Sequence, residues 1–486
     1  MHKIHLHTLI ILLLVGIYLV NPNVIQSDVK LARAATIDTV CRFGITSPYG
    51  SEGYDIASLG VGALLDWGAE GDPVLPEGME YIRMLRVRDD LYGQTLAGLP
   101  TWIQAYPGSV WVVGNEPDTA YGNQDALLPE VYADRFYELA QIIRSMDPTA
   151  QIAIGSIVQP TPIRMRYLDR AWTRLAAQAG SNYAASNLVD IWSIHSFILN
   201  EQKDRWGASI PPGFENDYAD AVIITNFADT YSIEIFQERL VAFRGWMVGK
   251  GEREKPLWIV EYGSLFPPED PPGGPNYYNV SNELTASFML ATFDFLLSAS
   301  NPQTGLPMDD NQLVQRWFWY SLNDYPYHFG GSVYDPRDGS TTLVGQNFIN
   351  YQSTQLTPPD LLPAGLSIAP ISFNPDRTLV NYRLDLTIDN KVFSNATCAQ
   401  VWIYDGDPDN GGILIAGPIP ASAIRSNDGQ GLVSAFWMGV EPGVWHSIYV
   451  QVDSIGIPDI DPENNKAIYN LHTVLPKLHF LPIVQH

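Results

Sequence analysis

Two glutamates stand where apolar runs end. Glu116 lies in Asn115-Glu116-Pro117, directly after Val110-Trp111-Val112-Val113-Gly114, and Glu261 closes the run Leu257-Trp258-Ile259-Val260. A carboxyl at the C-terminal end of each of two buried strands is what cleavage of a glycosidic bond requires. One group holds a proton for the departing oxygen, and the other stays ionised to attack or stabilise the sugar. The pair must then differ in acidity. Burial and a charged neighbour are expected to raise Glu116 towards neutrality, while hydrogen-bond donors hold Glu261 ionised. Asn115 could offer its amide to a sugar 2-hydroxyl, a bond that strengthens in an oxocarbenium-like transition state. Either glutamate alone reads equally well as a loop carboxylate or a helix-entry acid. Matching strand ends set the pair apart.

Something must bring residues 145 positions apart to one place. Short, near-continuously apolar runs recur at 40–45, 63–67, 81–87, 110–116, 151–157, 189–197, 256–262 and 314–322, as expected of parallel strands buried on both faces. Helical stretches separate them. Tyr132, Phe136, Leu139, Ile143 and Met146 make one apolar face, with Pro129 near its start and Asp147-Pro148 at its end. A second helix is expected over 284–297. Eight strands alternating with helices predict an α/β fold, a (β/α)₈ barrel over 37–350. A doubly wound open sheet is the alternative, but no glycine-rich nucleotide loop recommends it. In a barrel all strand C-termini open on one face, so Glu116 after the fourth strand and Glu261 on the seventh would meet across a cleft.

The chain of 486 residues carries a formal net charge of -25 and is 46% hydrophobic. Such acidity argues against nucleic acid or anionic lipid as partners and suits a neutral ligand such as a carbohydrate. Lys3 and several histidines precede an apolar run over 9–20, and Ala32-Arg33-Ala34 supplies small residues for cleavage. Residues 1–34 are therefore expected to be an export signal, which makes the protein secreted or surface-held. An uncleaved anchor is the competing reading, but the run is short for a span of about 20 residues. No later segment is long and apolar enough to insert in a membrane. Cys41 and Cys398 are too few for a disulfide framework or a zinc site and read as small buried side chains. The two-carboxylate chemistry needs no metal and no organic cofactor.

The string Val112-Val113-Gly114-Asn115-Glu116-Pro117-Asp118 resembles the acid/base signature of the large clan of retaining (β/α)₈ glycoside hydrolases, and Trp258-Ile259-Val260-Glu261-Tyr262-Gly263 resembles its nucleophile strand. The resemblance implies Glu116 as general acid/base and Glu261 as nucleophile, with a covalent glycosyl-enzyme intermediate. Residues 107–118 are most similar to the Asl1-like hydrolases, some of which cut β-1,3-glucans. By the same resemblance His195, ending the sixth strand, contacts sugar hydroxyls or the nucleophile, and Trp319 on the eighth lies under the sugar. Asp66, Trp67 and Tyr262 are further substrate-contact candidates. The clan's usual arginine near the second strand is missing there, and Phe197 stands where some relatives have a tyrosine.

The texture changes after about residue 350. A proline-rich linker is expected over 351–365, followed by alternating strands at the spacings of a β-sandwich over 366–486. Tyr382, Leu384, Leu386 and Ile388 would share its inner face. The strings from Tyr382 to Asn390 and from Val450 to Asn465 resemble CARDB-type immunoglobulin-like domains, which implies contact with cell-surface glycan. Asp405-Gly406-Asp407-Pro408-Asp409-Asn410-Gly411 hints at a calcium loop. With no glycine at its sixth position and no closing glutamate, a turn-rich hairpin is the better reading. Asn279 and Asn395 sit in glycosylation-type sequons. Aromatic loops over 199–228, 266–279 and 325–328 would either line a groove or anchor themselves. The rival readings of the whole chain are a non-catalytic glycan-binding or adhesive surface protein and a transglycosidase.

Overall fold

The computed structural model describes residues 42–474, apart from 77–78, 121–122, 204, 268–277, 279, 310, 325–328, 356–358, 375, 392–398, 422–430 and 455–458. The expected export signal, both cysteines, Tyr277, the aromatics and histidine of 325–328 and the two sequon asparagines lie outside the described residues. No helix among the described residues is long and apolar enough to cross a membrane.

Eight parallel strands close in sequence order into a barrel: β1 (Phe43–Thr46), β2 (Ala63–Leu65), β3 (Glu80–Leu85), β4 (Val110–Val113), β5 (Gln151–Ile157), β6 (Ile191–His195), β7 (Leu257–Gly263) and β8 (Arg316–Tyr320). Helices α1 (Tyr92–Ala105), α2 (Pro129–Met146), α3 (Pro162–Ala179), α4 (Asn182–Ser186), α5 (Ile233–Gly249), α6 (Asn282–Ser298) and α7 (Leu343–Gln355) fall between or after them. The apolar face foreseen for α2 is buried from Tyr132 through Ile143, with Pro129 in its first turn, where a missing N–H costs nothing. Ser281 caps α6 by accepting from the Leu284 amide.

Strand alternation sorts the apolar residues into two layers. Leu65, Met84, Val112, Val260 and Phe318 fill the barrel interior, while Trp111, Ile259, Trp317 and Trp319 join the helices in the larger outer core. Two strands break the alternation. β5 gains one residue on β6 beyond Gly155, and β7 gains one residue on both neighbours between Ile259 and Tyr262. Each extra residue is a bulge that re-aims the side chains beyond it.

The C-terminal region is a sandwich of two antiparallel sheets. One has the order β13-β10-β9, and the other β12-β11-β14-β15. The strands are β9 (Leu361–Phe373), β10 (Val380–Asn390), β11 (Ala399–Asp405), β12 (Ile413–Ala421), β13 (Gly431–Val440), β14 (Trp445–Ser454) and β15 (Lys466–His472). The β10 residues foreseen as one face form its core with Val401, Ile403, Val450 and Val452. The expected linker is shorter than 351–365. α7 continues to Gln355 and β9 begins at Leu361, leaving 356–360 between them. Asp407 accepts from the Asp409 amide and the Asn410 side chain in the β11–β12 hairpin, which is the turn reading of that acidic stretch.

Gly155 makes the β5 bulge possible. Its φ is +116°, and a Cβ would lie 2.3 Å from the Ser193 carbonyl oxygen. Gly155→Ala is expected to cost about 2–4 kcal/mol of stability in urea denaturation. A loss below about 0.5 kcal/mol would show that the bulge is not constrained as described.

Candidate active site

The turn after β4 is built by backbone geometry that few residues adopt. Gly114 has φ +91°, and a Cβ there would lie 2.9 Å from the Tyr132 ring. Glu116 itself sits at φ +44°, a left-handed conformation costing about 1–3 kcal/mol for a non-glycine residue. Neighbouring bonds over-determine it. The Glu116 N–H donates to the Ser156 carbonyl in the β5 bulge (3.0 Å). Asp125 accepts from the Asn115 N–H (2.8 Å), the Val87 N–H (3.1 Å) and Arg86 Nε (2.9 Å), so one buried carboxylate pins the ends of β3 and β4 together. The Asp118 carboxylate accepts from Arg164 Nη1 (2.5 Å), and Arg164 Nε donates to Glu201 (2.7 Å), all three being buried. Arg164 thereby locks the loops that follow β4, β5 and β6.

Glu261 reaches the same place through the β7 bulge. Val260 points into the barrel and Tyr262 into the outer core, so simple alternation would send Glu261 outward; the extra residue turns it into the cleft. The shifted register pairs it with His195 on β6. His195 then stands between the two glutamates, its Nδ1 2.9 Å from Glu116 Oε1 and its Nε2 3.6 Å from Glu261 Oε1. A donor atom from each of the three lies within 4.8 Å of the other two. His195 is fully buried, and both glutamates are 5% exposed. The same trio could hold a cation, if His195 were deprotonated.

Burial and mutual charge set the acidities. Burial pushes the Glu261 carboxyl up to about 7, and Glu116 adds to this, against the opposing pull of His195, Arg86 and the Trp67 indole N–H. For His195, burial works against the charged ring, but Glu261 and Glu116 outweigh it and the net direction is up. The imidazolium is thus favoured, and its Nδ1–H donates to Glu116. Donors were expected from the sequence to hold Glu261 low, but burial outweighs them and the net direction is up.

Of the residues singled out in the sequence, the cleft collects Glu116, Glu261, Asn115, His195 and Trp67. The Trp67 indole N–H donates to the Asn115 side-chain oxygen (3.2 Å). Three others lie elsewhere. Asp66 faces the helix side of the barrel, accepting from the Tyr81 hydroxyl (2.5 Å) and the Gly68 N–H (2.7 Å). Trp319 is fully buried in the outer core, donates to the Gly331 carbonyl (2.7 Å), and packs edge-on against Tyr262, which is buried there too. The aromatic that β8 does offer is the next residue. The Tyr320 ring lies 6.1 Å from that of Trp67 and 6.0 Å from that of Phe197, and its hydroxyl donates to Asp324 (2.5 Å). Alternation explains the difference, since Phe318 points inward and its neighbours on the strand outward.

Arg86, one residue past β3, is the cation felt by Glu261. Its place at a strand end was the available signal. Asp118, Asp125, Arg164 and Glu201 gave no signal, because their roles depend on loops meeting. The loop aromatics act as anchors: Trp206, Phe227, Phe266 and Tyr278 cluster with ring centroids 4.5–5.7 Å apart.

No protein-family model matches the chain, and no curated protein is significantly similar to it. Among solved structures, it is similar to a GH128 (subgroup VII) oligosaccharide-binding protein from Cryptococcus neoformans, at 12% identity and TM-score 0.41, over 65% of this chain and 95% of that one. A glucosidase from Croceicoccus marinus matches at 11% identity and TM-score 0.41, over 87% of this chain and 95% of that one. The CARDB domain of a Pyrococcus furiosus protein in complex with di-metal ions matches at 19% identity and TM-score 0.17, over 24% of this chain and 96% of that domain. All three likenesses are distant.

The raised acidity constant of Glu261 has a stability consequence of definite sign. Its folded value, about 7, exceeds the ordinary 4.5, so folding favours the protonated form. Stability from this group is present at low pH and is lost as pH rises through about 7. Glu261→Gln removes the buried charge. Its melting temperature should exceed that of the parent near pH 8, with the gap narrowing near pH 5. A gap that does not change with pH would mean that burial of the charge is not what raises Glu261.

Proposed function

We propose that this chain is an exported retaining β-glycosidase that hydrolyses O-glycosidic bonds in a β-linked poly- or oligosaccharide, a β-glucan being the first candidate. The observation that carries the reading is the approach of Glu116 and Glu261, with one carboxylate oxygen of each within 4.8 Å of the other beside His195. Retaining enzymes hold their carboxyls about 5–5.5 Å apart, whereas inverting ones need about 6.5–9.5 Å to admit a water between sugar and base. The short separation favours direct attack by a carboxylate.

In this route Glu261, once ionised, attacks the anomeric carbon as the glycosidic C–O bond breaks, and Glu116 gives its proton to the departing oxygen. Glu116 then takes a proton from the water that attacks the glycosyl-enzyme ester, and Glu261 leaves as a carboxylate. His195 fixes the Glu116 carboxyl through Nδ1. Its Nε2 and the facing Glu261 Oε1, 3.6 Å apart, are buried and have no hydrogen-bond partner among the described residues, and a sugar hydroxyl is suited to satisfy them. Asn115 and the Trp67 indole N–H stand beside the nucleophile for the 2-hydroxyl, and the Trp67 and Tyr320 rings offer faces to sugar C–H groups. Arg86 favours the ionised form of Glu261. Secretion rests on the charged start, apolar run and small-residue site within 1–34, and no cofactor enters any step.

The decisive experiment uses an activated aryl β-glycoside and a panel of β-glucans, mannans, xylans and galactans. Glu261→Ala should abolish turnover, and azide should restore some, giving the glycosyl azide of inverted configuration because azide enters from the vacated face. Glu116→Gln should slow polysaccharide cleavage by about 10²–10⁴-fold. Unchanged hydrolysis by the Glu261 variant would falsify the assignment. Binding without any new reducing ends would leave a glycan-binding protein. Transfer to added acceptor sugars in place of water would mark a transglycosidase.

A further inference from the structure

We propose that the outward face of the four-stranded sheet in the C-terminal sandwich is a second binding surface for a neutral polysaccharide. β11, β14 and β15 alternate strictly, so one set of residues builds the core and the other faces away from it. Ile403, Ile448, Val450 and Val452 are core, whereas Trp402, Tyr404, Trp445 and Tyr449 are not. Four aromatic rings lie on the outer face of one small sheet, three of them partly exposed and Trp445 70% exposed.

Register shows how the rings are laid out. Tyr404 lies opposite Tyr449, with Leu414 and Ile468 continuing the row on either side. Trp402 is two residues along β11 from Tyr404, on the same face. Trp445 lies four residues along β14 from Tyr449, about 14 Å at the strand rise, with the His472 ring beside it at 5.0 Å. Trp402 leans over Gly417, where a Cβ would come within 2.8 Å of indole Cδ1. Glycine at 417 leaves room for the indole on this face. Together these residues form a track of ring faces about 20 Å long, which fits several consecutive pyranose units better than a single small molecule.

The groups between the rings decide the class of ligand. Ser447 bonds to Asn470 (2.9 Å), and Gln451 lies next to Trp402 on the adjoining strand. These are hydroxyl and amide groups, matched to a ligand rich in hydroxyls. In a chain of net charge -25, the outward positions of β11, β14 and β15 hold one carboxylate, Asp453, and one ammonium, Lys466. The local charge is balanced. An anionic membrane would call for a cluster of basic residues, and these strands turn one outward. The ligand class is read from this face itself, so the proposal stands apart from whether the barrel is a hydrolase.

The test is affinity electrophoresis of the full chain in gels cast with laminarin, mixed-linkage β-glucan, glucomannan, xylan or galactan. At least one polysaccharide should retard the protein. Trp445→Ala/Tyr449→Ala should weaken that retardation at least about fivefold, while turnover of any small aryl glycoside and the melting temperature stay as in the parent. Trp445→Ala alone, at a position too exposed to matter for folding, should weaken it in the same direction. The proposal is overturned if no gel retards the parent, or if both variants run as the parent does. It is equally overturned if light scattering finds a dimer that these substitutions dissociate, because the face would then hold a second copy.

Discussion

A buried imidazole between two buried carboxyls is the interaction on which the site depends. Glu116 and Glu261 come from opposite sides of the barrel and would repel each other if both ionised in a space shielded from water. Removing a carboxylate from water costs several kcal/mol unless a partner offsets it. His195 is that partner for both at once, bonded to Glu116 and facing Glu261. The three groups are in contact, so a proton gained or lost by one changes the field at the other two. That is a useful property in a site whose chemistry is the movement of one proton.

Much of the barrel's irregularity serves this meeting. The β5 bulge supplies the Ser156 carbonyl that holds the Glu116 backbone, and the β7 bulge turns Glu261 inward and shifts it to face His195. Around them, charged residues with no chemistry of their own fix the loops. Arg164 serves two carboxylates and three loop carbonyls, at Asp118, Ala208 and Ser209, from a fully buried position. Apolar residues in such places would offer as much or more stability. What the network adds is direction, because a guanidinium satisfied by five oxygens allows only one arrangement of the loops that carry them.

How much of this the sequence disclosed depends on the range of the forces involved. Strand and helix positions come from local periodicity, so the barrel, α2 and the inner face of β10 were readable. So were Glu116 and Glu261, because a polar residue ending an apolar run is itself a local signal. The bulges were not readable. A bulge needs a neighbouring strand to define it, and without one the side-chain count along β7 stays ambiguous by one residue. That ambiguity is why the sequence sets Tyr262 beside the substrate, whereas Trp319 was placed there by resemblance and the regular alternation of β8 turns it outward. Asp66 misleads for a related reason: it ends the same short strand as Trp67 but on the opposite face. β9 and β15 leave no clear trace either, each lying at a sheet edge with a broken or half-exposed pattern.

The elevated acidity constant of Glu261 looks like a handicap for a nucleophile, but the proposed route makes use of it. A carboxylate that is costly to keep charged gains by forming a bond to carbon, since the ester is neutral. Once Glu261 is esterified, Glu116 no longer faces a like charge and keeps its bond to His195 Nδ1. The proton demand of the first step and the proton release of the second are then coupled through one electrostatic contact. Arg86 and Trp67 limit the cost, since both lower the Glu261 value against burial. Moving either away would leave the distances in the trio unchanged and still shift the pH at which Glu261 can attack. The reach of the site therefore extends to the ends of β2 and β3, the two strands that precede β4 in the barrel.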